Sequence, residues 1–401
     1  MEVFIFCECL HLTLVDLRGG FLVRYHHKAS LDPTSSIWLF MHHIQMMGLC
    51  LLCGVAQAQS ESVVDHADPA LPTSEAVQAI QRQDRWALND LRLRDLTFYW
   101  DNDGTLPRIG QDTDRFYTNG AGIELSFDPN FTDQIREKLA PAGEWENPRF
   151  GLGLAIKQQI YTSSDITDPT PPIGDHPYSG YLYFAFSFQR ADDKKRDHFE
   201  LDLGVVGERS QGEMIQKFIH NAFPNQDDPQ GWSTQSANEP TVNFTYERTW
   251  KSRQAQIRGF EFEMLPALGF DLGNVSTRAK GRITLRAGHN LPEDFGPATL
   301  LGNKDHTVSA NDWGEGDFSF YIYASMGMDV VARDIFLDGN TFATSRSVDS
   351  ELLVAQASVG LVTRYKSLYL GWSQTYQTEN FESQPSGQAW GSILLGYSYT
   401  F

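Results

Sequence analysis

The sequence predicts an all-β fold, a transmembrane antiparallel β-barrel of about twelve strands carrying a short helical insertion. Three observations predict it. The chain closes on "SILLGYSYTF", with Ile393, Leu395, Tyr397, Tyr399 and Phe401 at every second position and smaller or polar residues between. The same apolar–polar alternation recurs in about a dozen segments from residue 94 onward, separated by Gly, Asp, Asn and Pro clusters. No window holds the roughly 18 uninterrupted apolar residues of a membrane helix. One face of each strand therefore meets lipid and the other a polar lumen.

Taken in order, residues 1–58 read as an over-extended start followed by a signal peptide. "HHIQMMGLCLLCGVAQAQS" carries a polar start, a short apolar run and the small-x-small ending Ala56-Gln57-Ala58, with cleavage expected before Gln59. All four cysteines (Cys7, Cys9, Cys50, Cys53) lie in this leader. What remains uses no disulfide, thiolate metal site or cysteine nucleophile. Asp and Glu number 51 against 32 Lys and Arg. That acidic balance argues against a nucleic-acid partner and suits a setting where divalent cations bridge anionic groups.

Residues 59–93 form a periplasmic extension, and "PTSEAVQAIQRQDRWALNDLRLRD" within and just past it predicts a helix. The barrel domain then occupies 94–401. "LTFYWDND" places Leu96, Phe98 and Trp100 on one face. "SGYLYFAFSFQR" sets Leu182, Phe184, Phe186 and Phe188 against Tyr181, Tyr183, Ala185, Ser187 and Gln189. Aromatics near strand ends (Tyr181, Tyr183, Trp372, Tyr376, Trp390) suit interfacial girdles. The segment from Gly207 to Pro240 breaks the pattern, and a long polar connection holding an amphipathic helix is usually functional.

Four polar clusters are left over. "DNDG" (Asp101–Gly104) packs oxygen ligands before a glycine, which suits a hard cation such as calcium, though a plain turn gives the same residues. "DRFYTNG" (Asp114–Gly120) reads equally as a strand start. Asp175-His176-Pro177-Tyr178 closes a Pro-rich loop before the fourth strand. In "GEMIQKFIH", Glu213, Gln216 and His220 share one narrow helical face, with Met214, Ile215, Phe218 and Ile219 opposite. A solvated helix face and a face aimed at a substrate both fit these residues.

In series, "DND…DRFYTNG", "YTSSDI…GDHPYSGYLY" and "GERSQGEMIQKFIH…GWSTQSANEP" resemble the outer-membrane lipid A 3′-O-deacylase family over residues 95–401. The resemblance implies a twelve-stranded barrel of the Gram-negative outer membrane, built by the barrel assembly machinery and surrounded by outer-membrane lipid. It implies a calcium-dependent hydrolase that removes the 3′-linked acyloxyacyl group from lipid A of lipopolysaccharide. By position, His220 is the general base and Gln216 lies one turn before it. Asn102 and Asp103 match the family's essential pair and metal site, joined by Glu213 at an acidic position. Thr118 matches the hydroxyl residue of the tyrosine–threonine motif, and Asp175 and His176 fall in the substrate-binding segment. Two places depart from the pattern. Ile173 and His176 stand where basic residues are expected, and Gln226 stands where an acid follows the histidine, with Asp227 and Asp228 adjacent. The chain has no "GxSxG" elbow, so a histidine-activated water is the implied nucleophile. An esterase or phospholipase acting on another lipid, and a non-catalytic channel or structural barrel, are the competing readings.

Overall fold

The computed structural model describes residues 4–7, 10–17, 20–24, 90–104, 108–109, 114–222, 227–252, 255–257, 259–297, 300 and 317–399. The expected cleavage site, the helix over 72–89, Gln226 and Phe401 lie outside them. Strands Phe4–Cys7, Leu10–Leu17 and Gly20–Arg24 make a small antiparallel sheet within the unit Met1–Val77.

The second unit holds the barrel. Its strands are β1 (Asp90–Asn102), β2 (Phe116–Asn130), β3 (Arg149–Thr162), β4 (Ser179–Ala191), β5 (Lys195–Val206) and β6 (Glu239–Trp250). They continue as β7 (Phe260–Gly273), β8 (Ser276–His289), β9 (Phe318–Asp334), β10 (Leu353–Tyr365), β11 (Leu368–Gln377) and β12 (Gln388–Ser398). Each pairs antiparallel with its neighbours. Ser398↔Asp95 through Gly391↔Asn102 joins β12 to β1, so the twelve strands close on themselves. The first strand starts at Asp90, so the end of the segment expected to be helical is strand.

Period two sorts the side chains as the sequence predicts. Leu96, Phe98, Phe184, Phe186, Leu201 and Leu203 are exposed on the outer wall, while Thr97, Asp101, Ser187, Gln189, Glu200 and Asp202 are buried inside. The girdle assignment needs correcting. Tyr181, Tyr183 and Trp390 are buried, and only Tyr376 of the five is exposed. Tyr181 and Tyr183 share the phase of Ala185 and Ser187, so the pleat turns them into the lumen.

Buried charges inside the barrel are matched. Lys157 Nζ sits 3.8 Å from Glu124 and 3.7 Å from Glu200, and Asp271 takes Arg278 at 2.6 Å and Lys280 at 2.8 Å. A loop after β8, at the end of the barrel opposite the β1–β2 connection, turns inward. Its Leu291, Phe295 and Leu300 are buried, with Leu300 packed on Tyr99 and Leu394. Arg286 anchors the loop through ion pairs to Asp294 and Glu263 and a 2.8 Å bond from its Nη2 to the Pro292 carbonyl. Beside Leu300 remains a polar cavity of about 100 Å³. Arg286→Ala strands two buried carboxylates and is expected to cost about 3–5 kcal/mol. The folded, heat-modifiable band should then convert at a lower temperature in gel-shift melting, and an unchanged midpoint would refute the anchoring role.

Candidate active site

Loops after odd-numbered strands gather at one rim, and the four polar motif clusters fall there. Helix α1 (Asp133–Leu139) sits at the opposite end, whereas α2 (Gly212–Ala222) and α3 (Ile335–Asp338) belong to the motif rim. The start of α2 lies directly against β4. A Cβ built on Gly212 would meet Gly180 Cα at 3.0 Å and the Trp232 ring at 2.7 Å, so only glycine permits this approach.

Helix α2 is amphipathic, and it packs with Ile215 against Ile160, Tyr178 and Trp232 and with Gln216 and His220 also turned toward the protein, while Glu213 stays partly exposed. Gln216 is 1 % exposed, while Met214 and Phe218 are 36 % and 47 % exposed. The Trp232 indole N–H donates to Gln216 Oε1 at 2.8 Å. Gln216 Nε2 is buried without a hydrogen-bond partner among the described residues. The His220 side chain is 10 % exposed, with Nε2 3.3 Å from Asp114 Oδ2. Its Nδ1 lies 2.6 Å from the Asp227 carbonyl.

Asn102, Asp103 and Thr118 form one hydrogen-bonded unit where β1 leaves β2. Asn102 Nδ2 and the Asp103 N–H both donate to the Thr118 carbonyl, each at 3.2 Å. Asp103 Oδ2 accepts the Arg115 N–H at 2.7 Å, and Arg115 follows Asp114, so this unit and His220 meet through one short segment. Thr118 Oγ1 shares a 2.7 Å hydrogen bond with Thr162 Oγ1.

The remaining candidates lie apart from this contact chain. Glu213 accepts a 2.8 Å bond from Lys217 one turn along the helix, and its side chain is 43 % exposed. Asp175 caps its own loop, accepting from Ser164 N and Oγ and from the His176 N–H. His176 is buried, stacked on Tyr161 with ring centroids 5.6 Å apart and flanked by Phe116 and Phe381. The expected substrate contact is therefore an aromatic-caged core residue, because Pro177 and the β4 start turn the ring inward. Ile173 is 96 % exposed. At the shifted acidic position it is the Asp227 backbone carbonyl that meets His220. Asp114 was not singled out as a site residue in the sequence, although it opens the quoted "DRFYTNG" stretch.

Asn102, Asp103 and Thr118 offer only oxygen ligands, the donor chemistry of a hard cation. Among the described residues, no group of three or more His, Cys, Asp or Glu side chains is arranged to hold a metal. An amide, one carboxylate and backbone or hydroxyl oxygens fit calcium in donor type, while Glu213 is engaged elsewhere.

Fold and rim together define a membrane β-barrel with a histidine–carboxylate site at one end. The family model for outer membrane protein LpxR matches residues 47–399, and the chain belongs to that family of outer-membrane proteins. Its fold is similar to LpxR from Salmonella typhimurium, with a TM-score of 0.61 and 19 % identity over 76 % of this chain and 100 % of that one. The β domain of the Bordetella autotransporter BrkA aligns with a TM-score of 0.40 and 12 % identity over 78 % and 100 % of the two chains. No curated protein matches the sequence.

Burial lowers the His176 pKa from 6.5 to about 4. Because the folded value lies below the unfolded one, the loop's stability is full at neutral pH. It falls as the pH drops from about 6.5 toward 4, where the unfolded chain binds the extra proton. Limited proteolysis of the 163–178 loop should accelerate across that window in the wild type and stay flat in His176→Phe. Identical pH dependence in both would exclude His176 as the cause.

Proposed function

We propose that the chain is a calcium-dependent lipid A 3′-O-deacylase of the outer membrane, exported by its leader and inserted by the barrel assembly machinery. The observation that carries this reading is the inward placement of Gln216 and His220 on α2. A helix on a protein surface ordinarily turns its apolar face inward. Here Gln216 and His220 face the protein beside Ile215, Gln216 held by Trp232 and His220 linked to the Asn102–Asp103–Thr118 unit through Asp114 and Arg115, while Met214 and Phe218 lie outward.

In this mechanism His220 takes a proton from a water, and the resulting hydroxide attacks the ester carbonyl. Collapse of the tetrahedral intermediate breaks the bond to the sugar oxygen. That oxygen leaves as the 3′-hydroxyl after receiving the proton back from His220, and the acyl group departs as a carboxylic acid. Calcium held by Asn102 and Asp103 supplies positive charge for the oxyanion when bound. Leaving an amide N–H buried and unpaired costs about 1–3 kcal/mol. Gln216 Nε2 is such a group, and a donor held ready for the water or substrate accounts for it. Thr118, tied to Thr162, fixes the backbone carbonyl that orients both Asn102 and Asp103.

The test is mass spectrometry of lipid A from a Gram-negative host lacking such an enzyme. Wild type should remove the 3′-acyloxyacyl mass, whereas His220→Ala, or wild-type extract treated with a calcium chelator, should leave it. Intact lipid A in wild type, with the barrel folded in the outer membrane, sinks the reading. Fatty acid released from glycerophospholipid instead would assign the site to a phospholipase.

A further inference from the structure

Asp114 opens the "DRFYTNG" motif without an assigned role, yet it provides the carboxylate that faces His220. Its Oδ2 is 3.3 Å from Nε2, and the Asp227 carbonyl is 2.6 Å from Nδ1. A ring nitrogen this close to a carbonyl oxygen carries the hydrogen, so Nδ1–H donates to Asp227 and Nε2, on the Asp114 side, is the nitrogen left to take a proton. The backbone around Asp114 is bent to achieve this. Asp114 and Phe116 both adopt left-handed conformations, with φ of 40° and 62°. A bulky aromatic residue rarely tolerates that region, and such strain persists only where surrounding packing enforces it. Phe116 is fully buried among Leu337, Val348 and Phe381, which supplies that packing. Between the two strained residues, the Arg115 N–H reaches Asp103 Oδ2. A relaxed backbone here would turn Asp114 away from His220 and Arg115 away from Asp103 together.

We infer that Asp114 is a positioning residue for His220: its carboxylate sits beside Nε2 and faces the positive charge that forms there when the ring takes a proton, while the Asp227 carbonyl fixes the ring through Nδ1. The strained Asp114–Phe116 segment sets this contact and the Asp103 contact at once. The inference rests on the reading of His220 as the base. The Asp114 side chain is 18 % exposed, so its charge is only partly screened by water where it faces Nε2.

Three variants of the full chain, Asp114→Asn, Asp114→Glu and His220→Ala, would be purified in detergent and their folded state checked by heat-modifiable migration. Steady-state hydrolysis of lipid A would be measured with kcat and KM separated. The ring-nitrogen NMR resonance of His220, identified by its loss in His220→Ala, would be recorded for wild type and Asp114→Asn. Asp114→Asn is expected to lower kcat on the order of tenfold to hundredfold. KM should stay within about twofold, Asp114→Glu should restore part of the rate, and the His220 resonance should move in Asp114→Asn. A kcat for Asp114→Asn within about twofold of wild type, or an unmoved His220 resonance, overturns the proposal. Wild-type protein that cleaves no lipid A overturns the deacylase reading alone, and the resonance in the same samples then decides the Asp114 pairing by itself.

Discussion

A polypeptide in hydrocarbon must satisfy every backbone N–H and C=O internally, and this requirement governs the whole molecule. It forces the ladder to close, which happens where β12 meets β1 and where β6 meets β7. Closure creates an inside, and period two makes that inside polar. Charges then sit far from bulk water and are retained only in pairs, as at Lys157 with Glu124 and Glu200. The inward loop after β8 follows the same logic. Arg286 meets two carboxylates, and the loop's apolar residues occupy lumen space that would otherwise be open.

The ladder's demands relax at the rim, where loop backbone can bond to water or to side chains. The structure there is built from close approaches and strain rather than regular pairing. Gly180 and Gly212 bring α2 against the wall, and Asp114 and Phe116 hold a left-handed turn beside it. A rigid barrel with an over-determined rim is the arrangement that holds a few polar groups within about 0.5 Å of their working positions.

The barrel was legible because period two is local: each strand reports its two faces in its own residues. The girdle was misread for the same reason in reverse. An aromatic near a strand end has two possible directions, and only its phase with neighbours such as Ser187 decides between them. The helix was legible as amphipathic but not in its orientation, since a sequence carries no sign for which face turns inward. Glu213 shares the His220 face by periodicity, yet Lys217, four residues on, offers a nearer partner. Asp114 was hidden because its contact crosses from the β1–β2 connection to α2, over 106 positions of chain that no local pattern spans. His176 occupied a motif position, and only tertiary packing shows that Tyr161 and Phe116 enclose it.

The histidines themselves show why environment, rather than motif, selects the reactive one. His176 is caged by aromatic rings, and burial holds it neutral. His198 is buried in the wall of the lumen, 3.7 Å from Glu200, which also pairs with Lys157. His289 is exposed at the end of β8, at the rim opposite the motif clusters. A base for a lipid ester must reach water and substrate, keep a fixed ring, and have a counter-charge close to its nitrogen. The aromatic cage around His176 denies it the first condition, and His198 lies too deep for the substrate. His289 stands at the wrong end of the barrel. Among the described histidines of the barrel, His220 alone combines a rim position, partial exposure, an acceptor that fixes Nδ1 and a carboxylate beside Nε2. These properties come from α2 turning Gln216 and His220 toward the protein, so the orientation of one eleven-residue helix separates a reactive histidine from a structural one.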